Sequence, residues 1–213
     1  MNKNALILVD IQNDFLPGGT LPVPLGYKIL PIVNQLVKLP FDYILASKDW
    51  HPEDHLSFAT NHHKAPGEKI ICENLEQILW PVHCVQKTHG AEFAKGFDTA
   101  KISNIFLKGT AKNIDSYSAF FDNLHKKSTG LAEFLQSHDV NTVYIAGLAT
   151  DYCIKYSVID ALHLGFNVFV ALDACKGINL QPDDSNTALK QMQEAGAVMI
   201  TLKEINKALP LRT

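Results

Sequence analysis

Six short, β-branched apolar runs recur along this chain, at Ala5–Val9, Tyr43–Ala46, Ile105–Leu107, Thr142–Ala146, Val168–Leu172 and Val198–Thr201. Each is apolar nearly throughout instead of alternating, which is the pattern of a strand buried on both faces. Stretches with helical spacing lie between several of them. Tyr27–Val37 sets Ile29, Leu30, Val33, Leu36 and Val37 on one face, and Leu131, Phe134 and Leu135 repeat that spacing. Asp151–Leu164 carries Ile154, Val158, Ala161 and Leu162, and Asp184–Ala195 follows. Doubly buried strands need a covering layer on each side. The alternation therefore predicts an α/β fold, a three-layer α/β/α arrangement around a central, mostly parallel six-stranded sheet. The 213 residues suffice for one such domain spanning 1–213, and no internal repeat or linker divides them.

Two regions break the rhythm. Phe15–Gly26 is rich in Pro and Gly and reads as a long loop; Trp50–Gly96 holds most of the histidines and has little periodicity. Loops of that length in a compact fold usually carry function. The formal net charge is −3 with no basic block, which argues against nucleic acid or an anionic membrane surface as partner. The N-terminal apolar run is too short for a signal peptide and no stretch is long enough to span a bilayer, so a cytoplasmic protein is expected. Cys72, Cys84, Cys153 and Cys175 form no CxxC pair, and in that compartment read as free thiols.

The strand ends are where chemistry gathers. Asp10 closes the first strand, Asp49 follows the second, Lys108 ends the third, and the fourth runs into Gly147-Leu148-Ala149-Thr150-Asp151-Tyr152-Cys153. Open parallel sheets bind ligands at the carboxyl ends of their strands. Each residue has a bland reading alone: a cap, a solvated strand end, an inert buried thiol. Their arrival at one sheet edge is harder to explain that way. Cys153 is placed in the first turn of a predicted helix, where partial positive charge and free N–H groups favour a thiolate and could hold an oxyanion. Asp10 is the candidate base and Lys108 the group that keeps it ionised. Asp49-Trp50-His51, with His55 and the distant His83, supplies a carboxylate and imidazoles suited to a divalent transition metal.

These segments match a known pattern. Asp10-Ile11-Gln12-Asn13-Asp14-Phe15, Asp49-Trp50-His51-Pro52, Trp80-Pro81-Val82-His83-Cys84, Lys108-Gly109 and Gly147 through Cys153 occur in the order and spacing of the nicotinamidases (pyrazinamidase/nicotinamidase), within the isochorismatase-like cysteine hydrolase superfamily. The chain resembles that family over nearly its whole length. The resemblance implies a catalytic triad of Asp10, Lys108 and Cys153, and an oxyanion hole from the N–H groups of Ala149 and Cys153 beside a cis Leu148–Ala149 bond. It implies a divalent metal, zinc first and iron or manganese next, on Asp49, His51 and His83, with Asp54 or His55 as fourth ligand. Phe15, Leu21, Trp80 and Tyr117 would wall a pyridine pocket. The implied reaction is hydrolysis of nicotinamide, and of pyrazinamide, through a thioester, in salvage toward NAD; a homo-oligomer is compatible with it. A metal-free relative acting on carbamoyl or ureido substrates would keep the triad but have no use for the Asp49, His51 and His83 set.

Overall fold

The structure, a computed structural model, describes residues 3–72 and 74–209. Its main sheet contains β1 (Lys3–Val9), β2 (Tyr43–Asp49), β5 (Asn104–Lys108), β6 (Val140–Leu148), β7 (Asn167–Lys176) and β8 (Val198–Ile200). Every pairing in it is parallel. The expectation of a mostly parallel sheet is met by an entirely parallel one. A separate antiparallel hairpin, β3 (Lys69–Cys72) and β4 (Leu75–Ile78), lies inside the region read as loop. Only Gln77 among its residues is fully buried. With one buried position, and that one polar, the hairpin has no apolar alternation for a sequence reading to detect.

The period of β1 divides the core in two. Ala5, Ile7 and Val9 pack with α2 (Leu131–Ser137), α3 (Lys155–His163) and α4 (Asp184–Glu194) on one face. Leu6 and Leu8 pack with α1 (Leu30–Leu36) and α5 (Leu202–Ala208) on the other. The sheet order is β5-β2-β1-β6-β7-β8. The chain thus works outward from β1 on one side, then crosses back to build the other half from β6. The reversal point lies between β1 and β6, where a doubly wound sheet opens a crevice at its carboxyl edge. Gly147 allows the two strands to meet closely there, since a Cβ on it would run into the Val9 backbone. The predicted helix 151–164 divides into a π-helical turn, Thr150–Ile154, followed by α3; such turns are frequent at functional sites. Helix α5 lies beyond the helices expected from the sequence, and Thr201 and Glu204 form a capping box at its start.

Candidate active site

The carboxyl edge brings Asp10, Lys108 and Cys153 together. Lys108 is 2% exposed, an unusual state for a lysine, and is explained by its partners. Its Nζ lies 2.9 Å from Asp10 Oδ2 and 2.5 Å from Asp49 Oδ1. It also donates to the Ser116 carbonyl at 2.9 Å and approaches Cys153 Sγ at 3.3 Å. Asp10 Oδ1 accepts from Ser47 Oγ at 2.7 Å. Asp10, Asp49 and Cys153 each present an atom within 4.8 Å of the other two. The Leu148–Ala149 peptide is cis.

Placement near a helix start favours a thiolate, with Asp10 as the candidate base that takes the proton. Burial works against the charge: it pushes the Cys153 thiol well above its ordinary range, Lys108 offsets this only in part, and the Asp10 and Asp49 charges add to the rise. Burial likewise raises the Asp10 carboxyl against the pull of Lys108. Both directions favour a neutral thiol at Cys153 beside a carboxylate of heightened basicity at Asp10. Burial also opposes the charges on Asp49 and Lys108, but each is outweighed. Lys108 holds Asp49 well below the usual carboxylate range, and Asp10 and Asp49 hold the Lys108 ammonium well above the usual lysine range. Cys175, the weaker nucleophile candidate, is buried within β7, where desolvation pushes its thiol up to about 12.

A second group adjoins the first. His51 Nδ1 lies 2.9 Å from the Gly109 carbonyl and His83 Nδ1 2.7 Å from the Pro81 carbonyl. Carbonyl oxygens only accept, so each Nδ1 carries the hydrogen and each Nε2 offers its lone pair. Both Nε2 atoms turn to Asp49 Oδ2, at 3.6 Å for His51 and 3.8 Å for His83. His51 is wholly buried, yet its Nε2 has no hydrogen-bond partner. An orphaned buried nitrogen beside a carboxylate and a second imidazole fits a divalent cation. Gly109 makes the placement possible, because a Cβ on it would occupy the His51 ring position. Of the two fourth-ligand candidates, Asp54 stands exposed, paired with Lys112 at 2.7 Å. His55 stacks on His51 with ring centroids 4.1 Å apart. Its nitrogens are engaged by Ser57 Oγ at 2.8 Å and the Ile114 carbonyl at 3.1 Å.

Phe15, Leu21, Trp80 and Tyr117 line one narrow cavity, with Cys153 and Ala149 also on its wall together with Asp49 and His83. Asp115, Tyr152 and Ile178 complete it. The Trp80 indole N–H donates to the Tyr117 hydroxyl at 3.1 Å.

Three residues without an assigned role hold this site. Gln12 Nε2 donates to the Asp49 and Ala91 carbonyls at 2.8 and 3.0 Å, while its Oε1 accepts from the Asp49 N–H at 2.8 Å. Asp14 accepts from the Cys84 N–H at 2.7 Å, one residue beyond His83. Asp151 accepts from the Ile178 and Asn179 N–H groups at 2.9 and 2.6 Å, fixing the loop that closes the cavity. All three lie inside the quoted motifs, but a motif does not say which members act and which support. Gln12→Leu is expected to cost about 1–3 kcal/mol in urea unfolding, because it strands the Asp49 N–H and two carbonyls without partners. A change below about 0.5 kcal/mol, the range of a neutral surface substitution, would remove Gln12 from this role.

The profile of the isochorismatase domain family matches residues 4–204. A nicotinamidase from Escherichia coli (strain K12) is 42% identical over 207 residues, covering 96% of this chain and 97% of that protein. Among solved structures, a nicotinamidase/pyrazinamidase from Acinetobacter baumanii superposes with a TM-score of 0.92 at 41% identity, covering 96% of this chain and 99% of the other. A pyrazinamidase from Pyrococcus horikoshii in complex with zinc superposes with a TM-score of 0.78 at 39% identity, covering 93% and 99%.

Proposed function

This chain belongs to the isochorismatase family, and from that footing we propose how its site hydrolyses nicotinamide to nicotinic acid and ammonia. It is a nicotinamidase, a metal-dependent cysteine amidohydrolase that works through a thioester and fits salvage toward NAD. The observation that carries the reading is one cavity bearing Cys153 together with Asp49 and His83, between aromatic walls. A flat ring amide fits such a slot, with its carboxamide toward the sulfur and its ring nitrogen toward the cation donors.

Asp10 takes the proton of Cys153 as the sulfur attacks the carboxamide carbon. The C–S bond forms, the carbonyl π pair moves onto oxygen, and the N–H groups of Ala149 and Cys153 hold that oxyanion. The carbonyl re-forms, the C–N bond breaks, and Asp10 returns its proton to the departing nitrogen, which leaves as ammonia. Water then adds to the thioester with Asp10 again taking the proton, and nicotinic acid departs as the thiol is restored. Lys108 keeps Asp10 ionised before each proton transfer. Asp49, His51 and His83 would hold a divalent cation, which we take to be zinc, with iron and manganese suited to the same donors; when bound it would supply Lewis acidity toward the ring nitrogen. Pyrazinamide, with a ring nitrogen at the same distance from its amide, is a second substrate. We read the chain as one domain acting in the cytoplasm; among the described residues no helix is long and apolar enough to cross a membrane.

The test is ammonia release from nicotinamide before and after chelation. Activity should fall on chelation and return with added Zn²⁺. Undiminished turnover by protein verified to be metal-free would remove the cation from the reading. His51→Ala and His83→Ala should each lose metal and weaken substrate binding; a stoichiometric metal in the double variant would place the ligands elsewhere.

A further inference from the structure

We propose that Asp115, in the loop after β5, is the second acidic group of the cation site, supplying the negative charge that suits the site to a divalent ion. The inference rests on the metal-dependent reading above and deepens it.

Charge balance comes first. Asp10, Asp49 and Asp115 are all buried around this site, and Lys108 is the one buried lysine among them. Lys108 is committed to Asp10 and Asp49. Three carboxylates against one ammonium leave a deficit of two positive charges, in a setting where uncompensated charge is costly. Without Asp115 the deficit is one, and a divalent cation would overfill it.

Position and orientation agree. Asp115 lines the same cavity as Asp49, His83 and Cys153. Its carboxylate, His51 and His55 each present an atom within 4.8 Å of the other two. The orphaned Nε2 of His51 points to a ligand independently of any acidic cluster. Asp115 is also held in place rather than merely enclosed. Its Oδ1 accepts from the Ser116 N–H at 2.8 Å and its Oδ2 from Gln77 Nε2 at 3.1 Å. Gln77 comes from β4 and reaches the Tyr117 hydroxyl at 3.2 Å, so the hairpin sets the carboxylate and an aromatic wall together. Two neutral N–H donors orient a carboxylate without cancelling its charge, and among the described residues no lysine or arginine ion pair reaches it.

A carboxylate kept for a cation behaves differently from one kept for structure. The full-length protein is stripped of metal, and Zn²⁺ affinity is measured by competition with a chromogenic chelator, alongside melting of the metal-free and Zn²⁺-loaded forms. Asp115→Asn is expected to weaken Zn²⁺ binding by about 10–100-fold. The metal-free form should melt at or above the wild-type temperature, because an unbalanced buried charge is gone, and its gain on adding Zn²⁺ should shrink. Asp115→Glu, which keeps the charge, should recover most of the affinity, and Asp54→Asn should match wild type. Zn²⁺ affinity within twofold of wild type in Asp115→Asn would overturn the proposal. A metal-free Asp115→Asn that melts far lower or does not fold would also overturn it, by showing a structural role. If wild-type protein takes up no Zn²⁺ and His83→Ala behaves identically, the metal reading itself falls. Normal uptake by wild type, lost in His83→Ala but kept in Asp115→Asn, removes Asp115 alone.

Discussion

Cys153→Ala abolishes ammonia release from nicotinamide, by at least about 10⁴-fold, and leaves the fold intact. The activity loss follows from the chemistry: no other thiol lines the cavity, and a water molecule substituting for the sulfur would be neither held at the carbonyl nor as nucleophilic. The fold survives because Lys108 keeps its other contacts with Asp10, Asp49 and Ser116 when the sulfur is removed. Single-turnover ammonia measurement and circular dichroism on the same preparation check both halves. Substantial turnover in the variant would reject the nucleophile assignment. The wild-type pH profile carries a related signature. Asp10 must be ionised to act, and burial raises its pKa, so the acid limb of kcat/KM should lie above that of an ordinary aspartate. An acid limb at or below the usual carboxylate range would remove Asp10 as the base.

Lys108→Met should be the most destabilising substitution in the site as well as an inactivating one. It leaves Asp10 and Asp49 buried side by side with no cation from the chain, and breaking a buried pair in this way costs about 3–5 kcal/mol. The sign with pH follows from linkage. Lys108 holds Asp49 well below the usual carboxylate range, so Asp49 contributes stability above its unfolded pKa and loses it as pH falls through its folded pKa. The gap between wild type and Lys108→Met should therefore be largest near neutrality and narrow as pH drops below about 4, where the carboxylates take up protons. The base-side loss of the lysine contribution lies above the ordinary lysine pKa, because Lys108 is held well above it. Urea unfolding of the metal-free proteins across acid to neutral pH measures this. A constant gap would show that Lys108 stabilises by packing and not by charge.

The six strand runs were legible because a doubly buried strand must be apolar at every position, and such a run stands out without any knowledge of its neighbours. The convergence of Asp10, Asp49, Lys108 and Cys153 could be argued before any coordinates because parallel topology sends all carboxyl ends to one edge. The hairpin was not legible. Its single buried residue, Gln77, is polar and gives no period, and its partners Asp115 and Tyr117 lie 38 and 40 residues away in the chain. Asp49, His51 and His83 could be grouped from the sequence as a candidate donor set, and the structure brings them together, whereas their neighbours were harder. Asp54 and His55 follow His51 closely in sequence, yet one turns outward to Lys112 and the other spends its nitrogens on Ser57 and Ile114.

The amino-acid order alone determined the layer architecture, the edge at which chemistry collects and the residue types delivered there, since each follows from local patterning and chain direction. Only the tertiary structure decided the surroundings of the thiol, the lone-pair direction of each imidazole and the place of Asp115. Those depend on depth from water and on which distant carbonyl or amide ends up within about 3 Å, the reach of a hydrogen bond.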